Sequence, residues 1–145
     1  MTNIIQASMQ DLDEIMYIDS EVMSDTSRRS YIERAIESGG CISAREGDDI
    51  VGFLLYDTHF FECSFISLII VSPSKRRKGY ASKMLDFMMK ISPTDKVFSS
   101  TNRSNAQMQD VFTENGFIQS GIVENLDEGD PELIYFKSRF KKNLL

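Results

Sequence analysis

The chain has 145 residues, 41% of them hydrophobic and 26% charged, so length and composition predict a soluble globular protein with one core, a single domain over residues 1–145. A formal net charge of −6 and a pI near 4.8 argue against broad, sequence-independent nucleic-acid binding, which needs a spread of cations. No apolar run is long enough to span a bilayer, and Met1–Ile5 shows no cationic segment followed by a long apolar one, so neither a membrane span nor a signal peptide is expected and the predicted location is cytoplasmic.

Ile4-Ile5-Gln6-Ala7 reads as a short first strand. Ser8 is positioned to cap a helix whose inner face carries Leu12, Ile15, Met16 and Asp19, with Val22 further on. The polar stretch Ser24–Ser27 breaks that pattern. Ser30 with Glu33 resembles a capping box, and Tyr31, Ile32, Ala35 and Ile36 form the stripe of a second helix, starting at Ser30 or near Ser27. Gly39-Gly40 ends it. Cys41–Ala44 is a predicted strand, Gly47-Asp48-Asp49 a turn, and Ile50–Asp57 a strand in which Gly52 marks a bulge. Thr58-His59 begins the return into a second run, Phe60–Val71. Near its end nearly every residue is apolar, so this strand is expected to be covered on both faces and to lie centrally in a sheet. The two cysteines, Cys41 and Cys63, fall inside these strands and read as buried reduced thiols. A helix over Ala81–Ile91 buries Ala81, Met84, Leu85 and Met88 and stops at Ser92-Pro93. Val97–Ser100 is a fifth strand. Ser104 and Gln107 suggest a capping box for a helix lined by Met108, Val111 and Phe112 and closed by Asn115-Gly116. Phe117–Val123 and Leu133–Phe136 are the last strands, and Lys137–Lys142 reads as a helical or frayed tail.

The segment between the long apolar strand and the third helix carries the most chemistry. Lys75, Arg76, Arg77 and Lys78 are four consecutive cations on an acidic body, followed by Gly79, Tyr80 and Ala81. The order is buried strand, basic glycine loop, helix. A helix start exposes unpaired backbone N–H groups and the positive end of the helix dipole, so it suits a phosphate. The loop is therefore predicted to grip an anionic cofactor. No G-x-x-x-x-G-K-[ST] occurs and no G-x-G-x-x-G, which excludes a P-loop nucleotidase and leaves the dinucleotide fingerprint absent.

Two separated motifs resemble those of the Gcn5-related N-acetyltransferase family. Val71-x-Pro73-x-x-Arg76-x-x-Gly79-x-Ala81 is similar to the family's acetyl-CoA signature, [RQ]-x-x-G-x-[GA]. Asn105, Phe112 seven residues later, and Gly116-Phe117 are similar to its asparagine, aromatic and Gly-Phe segment. The resemblance covers most of the chain. It implies an α/β fold with a mixed, mostly antiparallel central sheet flanked by helices on both faces. It also implies an N-acetyltransferase that uses acetyl-CoA as cosubstrate and acetylates a primary amine of a small molecule or peptide by direct attack.

Site roles follow from the same resemblance. Backbone N–H groups from Arg77 through Ser82, taking in Lys78, Gly79, Tyr80 and Ala81, would converge on the cofactor pyrophosphate, with glycine allowing close approach at position 79. Arg76 and Arg77 would add charge-assisted contacts. Tyr80 reads as a packing residue of the helix start. The strand before the loop would splay from its neighbour, leaving backbone groups of Ile69 and Val71 to pair with the pantetheine amides. The N–H of Ile69 or Ile70 would polarise the thioester carbonyl. Asn105 would bond the pantetheine arm, and Phe112 would line the cofactor cleft.

The acid and base are less legible. Many relatives carry a tyrosine where this chain has Phe112, which has no proton to give. Glu62 is the nearest carboxylate on the central strand. Tyr56 or Tyr135 would serve as acid or relay if its hydroxyl faces the cleft, and His59, the one histidine, falls in a predicted turn. An acidic loop from Glu124 to Glu132 holds five carboxylates in nine residues; beside the acceptor site, Asp127 and Glu128 would attract an ammonium group. Its spacing does not match an EF-hand, and no metal is expected. The alternative function is a non-catalytic acyl-CoA-binding or regulatory module. A homodimer through an exposed terminal strand such as Leu133–Phe136 is compatible with the pattern.

Overall fold

The chain's strands carry two sets of apolar side chains, one for each face of a single sheet. The computed structural model describes residues 2–139. Its elements are β1 (Thr2–Gln6), α1 (Leu12–Met23), α2 (Arg29–Glu37), β2 (Cys41–Glu46), β3 (Asp49–Phe60), β4 (Cys63–Val71), α3 (Tyr80–Ile91), β5 (Lys96–Asn102), α4 (Ala106–Glu114), β6 (Ile118–Val123) and β7 (Glu132–Ser138). The strand order is β1-β2-β3-β4-β5-β7-β6. Among the described residues only the β4–β5 pair is parallel.

On one face, Leu12 and Ile15 of α1 and Ile32 and Ile36 of α2 pack with Phe53 and Leu55 of β3. On the other, Met84, Leu85 and Met88 of α3 and Phe112 of α4 pack with Val51, Leu54 and Ile66. Both layers shed apolar surface, the main favourable term in folding. The odd and even positions of β3 exchange faces between Val51 and Phe53. There the register jumps from Ala44↔Gly52 to Arg45↔Ile50, leaving Val51 as the extra residue. The bulge thus precedes Gly52. Gly52 itself lies against β4: a Cβ there would meet the Ile70 carbonyl oxygen at 2.9 Å.

Local signals place the helices with some departures from expectation. Ser8 N–H donates to Asp11 Oδ2 at 2.8 Å ahead of α1. Helix α2 starts one residue before Ser30, so the Ser30–Glu33 box does not form; Asp25 instead accepts from the Ser27 N–H and hydroxyl upstream. For α4 the cap is Asn105, whose side chain accepts from Met108 N–H at 3.0 Å, and not Ser104, which hydrogen-bonds Asp130. Ala81 is only half-buried; Tyr80 and Met89 join the α3 core stripe instead.

Three sheet features correct the expectation. The β3–β4 hairpin turns at Phe61 and Glu62, both at positive φ (50° and 63°), and His59 sits before it on β3 with an exposed side chain. Strand β7 runs on through Lys137 and Ser138 where a tail was expected; residues 140–142 lie outside the described residues. It is also an interior strand, between β5 and β6, so the edges of the sheet belong to β1 and β6 and not to β7.

Strand β4 is central, as its apolar run requires. It pairs with β5 only over Ser64–Ile66, opposite Val97–Ser99. At that vertex Ser99 Oγ donates to the Ile66 carbonyl at 2.8 Å. The next residue, Ser67, is a bulge: Leu55 pairs with Leu68 and Tyr56 with Ile66. Beyond it β4 and β5 part, and the wedge between them positions the site.

Candidate active site

Backbone alternation decides which groups enter the wedge. Ser72 N–H donates to the Val51 carbonyl at 2.8 Å, which makes Ser72 a hydrogen-bonded partner of β3. In an antiparallel ladder such positions recur every second residue, so Ile70 also spends its main-chain groups on β3. Ile69 and Val71 then aim theirs away from β3, into the wedge. The Val71 carbonyl accepts from Arg76 Nε at 3.2 Å. Of the two amides considered as carbonyl-polarising donors, only that of Ile69 has the right orientation.

The basic loop curls onto the start of α3. Arg77 and Gly79 both adopt positive φ, 64° and 83°. At Gly79 a Cβ would meet no atom within 4 Å, so glycine serves the backbone angle and leaves the space ahead of the helix open. The first helical bond runs from Lys83 N–H to the Gly79 carbonyl at 3.0 Å, and among the described residues no side chain caps the amides of Ala81 and Ser82 before it. Ser82 Oγ accepts from Asn115 Nδ2 at 2.9 Å, tying the start of α3 to the end of α4.

Glu46, the last residue of β2, anchors the loop from below. It accepts from the Tyr80 hydroxyl and, at 2.9 Å, from Lys75 Nζ. The Tyr80 bond first, and then the Lys75 bond, hold its carboxyl down to about 2. The Lys75 ammonium is pushed up by the same contact. Tyr80 is therefore a buried packing residue with a polar tip on Glu46.

In front of this loop lies a cavity of about 830 Å³. The wedge strand contributes Ile69, Ile70 and Val71 to its lining; the loop and helix start contribute Arg76, Arg77, Gly79, Tyr80, Ala81 and Ser82; Asn105 lines it from the start of α4. Of the residues expected around a cofactor, Lys78 and Phe112 are not among its lining. Asp110 and Glu114 of α4 form part of the facing wall, which confines the positive potential to the loop side. Uncapped amides, two arginines and an open glycine are a donor set that fits a pyrophosphate.

A second cavity of about 370 Å³ continues through the wedge, sharing Ile69, Ile70, Asn105 and Met108 with the first. Phe112 lines this one. Its polar wall comes from Ser67 of β4, Ser99 to Asn102 of β5, Arg28 ahead of α2, and Glu132 at the start of β7. Arg28, Ser67 and Ser100 bear no motif and carry no signal of a site in the sequence. Glu132 was visible only as the last carboxylate of the acidic loop.

The other expectations for catalysis are not brought together. Glu62 is exposed in the β3–β4 turn, at the end of β4 remote from the wedge, because the chain reverses at Phe61-Glu62 and does not continue as strand. Tyr135 lies in the core behind Phe112, rings stacked with centroids 4.9 Å apart, and lines neither cavity. Burial, and secondarily Asp110, raises its phenol. Tyr56 directs its hydroxyl to the Gly39 carbonyl at 3.5 Å. Asp127 accepts from Asn102 Nδ2 at 2.8 Å, bracing the β6–β7 loop against the end of β5. Neither Asp127 nor Glu128 lines either of these two cavities. Among the described residues, no three His, Cys, Asp or Glu side chains converge as metal ligands do.

A mixed sheet that splays at its one parallel pair, with a basic glycine loop feeding a helix at the mouth of the splay, is the architecture of acyl-transferring enzymes of the GNAT type. The chain belongs to the acetyltransferase (GNAT) family, whose model matches residues 7–117. No curated protein matches it. Among solved structures it resembles a GNAT-family acetyltransferase from Bacillus cereus, with 57% identity and a TM-score of 0.94 over 97% of this chain and 99% of that one. Two more distant structures share the fold. Ard1 from Thermoplasma volcanium has 14% identity and a TM-score of 0.84, over 97% of this chain and 99% of that one. Arabidopsis thaliana Naa50, solved with the bisubstrate analogue CoA-Ac-MVNAL, has 16% identity and a TM-score of 0.76, over 94% and 98%. Among the described residues no helix is long and apolar enough to cross a membrane.

Proposed function

We propose that this acetyltransferase-family protein transfers the acetyl group of acetyl-CoA to a primary amine of a small molecule or peptide. The observation that carries the reading is the uncapped start of α3 behind Gly79, opening on a cavity lined by Arg76 and Arg77 and continuous with the wedge. The amides of Ala81 and Ser82 bind diphosphate oxygens, and the two guanidiniums neutralise them. Wedge-facing groups of Ile69 and Val71 pair with an extended amide-bearing arm as an added strand would, with Asn105 on the other side. Acetyl-CoA would supply the thioester: the amine attacks in its neutral form, a C–N bond forms, the C–S bond breaks, the nitrogen gives up a proton to solvent, and the CoA thiolate takes one up and leaves as the thiol. The Ile69 amide is oriented to donate to the acyl oxygen, an electrostatic contribution that needs no titrating side chain. The CoA-peptide analogue held by Naa50, a protein of the same fold, supports this choice of cosubstrate and acceptor chemistry.

Phenylalanine at position 112 favours one second reading, an acyl-CoA-binding module without catalysis, since no hydroxyl there reaches the departing thiolate. The two readings part in one experiment. Acetyl-CoA raises the melting temperature in both, but CoA thiol release across a panel of amines occurs only in the enzyme. No thermal shift with any acyl-CoA rejects both.

A further inference from the structure

The wedge has a second mouth, lined by one cationic and one anionic side chain. We propose that the acceptor is a small amine that also carries an anionic group, an amino-acid-like zwitterion, with Glu132 holding its ammonium and Arg28 its anion. This rests on the acetyl-transfer reading above and deepens it.

Strand parity sets the geometry. Tyr135 and Leu133 of β7 turn into the α3–α4 core, as do their β5 partners Ser99 and Thr101. Glu132, Ser100 and Asn102 therefore point to the opposite face, the one covered by α1 and α2. Arg28 leads into α2 on that face. The second cavity thus opens on the far side of the sheet from the α3 core, and meets the first at Ile69, Ile70, Asn105 and Met108. An acceptor arriving by this route approaches an acyl group in the wedge from behind, without crossing the diphosphate site.

Among the residues lining this mouth, Arg28 and Glu132 are the charged ones. They are not paired with each other or used up. Arg28 donates through Nε and Nη2 to both oxygens of Asp19, at 3.2 and 2.5 Å. Asp19 is fully buried, while a quarter of the Arg28 side chain remains exposed. That fork uses two of five guanidinium N–H donors and fixes the plane of the rest. Among the described residues the other donors have no protein acceptor. Glu132 accepts one hydrogen bond, from Ser100 Oγ at 2.7 Å, which orients the carboxylate, and no cation pairs with it among the described residues. A held carboxylate and a held guanidinium lining one small cavity match a molecule with ammonium and carboxylate ends. A polyamine would meet Arg28 as a like charge.

The test uses the wild-type protein saturated with CoA and two matched sets of probes. One is leucine, isopentylamine and 4-methylpentanoate; the other is serine, ethanolamine and 3-hydroxypropanoate. Each set removes first the carboxylate and then the amine. Titration calorimetry reads affinity without turnover, and CoA thiol release from acetyl-CoA reads kcat/KM. In at least one set the zwitterion should bind about 10- to 100-fold more tightly than either single-charge analogue, the range expected for losing a hydrogen-bonded charge contact. Glu132→Gln should weaken both amine-bearing probes and spare the acid. Arg28→Lys, which keeps a cation on Asp19, should weaken the zwitterion and the acid and spare the plain amine. Should that variant fail to fold, Asp19→Asn with Arg28→Gln removes the buried charge as well and reads the same loss. Equal affinity for zwitterion and plain amine in both sets overturns the proposal, as does tighter binding of spermidine, or no binding by any probe to a protein that binds CoA. Failure to bind CoA at all would instead remove the acetyl-transfer reading.

Discussion

Replacing Gly79 with alanine separates backbone strain from ligand binding, because the fold contains its own control. Gly79 has φ 83° and Gly47, in the β2–β3 turn, has φ 63°; at each, an added Cβ would meet nothing within 4 Å. Both substitutions therefore carry only the cost of holding an L-residue in the left-handed region, about 1–2 kcal/mol. For a chain of this size that is a fall in Tm of about 3–8 °C. Only Gly79 opens on the α3 amides, so a methyl there stands where a diphosphate must approach. Saturating the wild type at about one hundred times Kd adds about 2.7 kcal/mol of stability. Thermal melts with and without acetyl-CoA give both quantities. The expected result is similar loss for the two apo variants, an intact ligand-induced shift for Gly47→Ala, and a reduced or absent shift for Gly79→Ala. Gly79→Glu should abolish it, since a carboxylate at a diphosphate site adds repulsion. Equal ligand-induced shifts in Gly79→Ala and Gly47→Ala would refute the assignment of this helix start as the anion site.

Other expectations follow from single contacts. Glu46, held down to about 2, contributes stability that is complete above its ordinary value of 4.5 and is lost as pH falls from there toward 2. Glu46→Gln should therefore flatten the acid limb of a Tm-versus-pH curve in that window, and an unchanged limb would contradict the anchoring role. Burial pushes the Cys41 thiol up to about 12, with Asp11 adding to it, so iodoacetamide at pH 7.5 should label Cys63 in the native protein and Cys41 only on unfolding. Comparable labelling rates would show that the β2 core is open. Arg28→Ala leaves the Asp19 carboxylate buried without its partner and should cost about 3 kcal/mol in urea unfolding; a loss under about 1 kcal/mol would mean that the pair is solvated. Truncating Phe112, buried between Phe117 and Tyr135, to alanine should cost about 3–5 kcal/mol, read in the same assay.

What the sequence made legible was local. The apolar run of β4, the cations after it and Gly79 are contiguous, and the chemistry of a helix start depends on neighbours in the chain. Asn105 stands at the head of α4 as its cap, a role the residue pattern had given to Ser104. Non-local features were hidden. The β3–β4 reversal uses Phe61 and Glu62 at positive φ, residues with no turn signature, so Glu62 read as part of a strand. Bulges at Val51 and Ser67 each reset strand parity by one residue, and such a slip reverses every inward and outward assignment beyond it. That β7 lies inside β6 follows from strand order, which periodicity does not encode. Arg28 and Glu132 line one cavity because α2 and the side chain of Glu132 share a face of the sheet. Asp127 read as a site residue because its charge was visible, but its bond to Asn102 was not.

The central claim is that backbone amides around the start of α3 and at Ile69 receive the cofactor. Titrating ¹⁵N-labelled protein with CoA and following each amide resonance tests it directly. The amides of Gly79, Ala81, Ser82 and Ile69 should show the largest shifts, saturating together with one Kd, while those of the β6 edge stay still. Saturable binding that leaves these four unmoved and shifts another surface would contradict it.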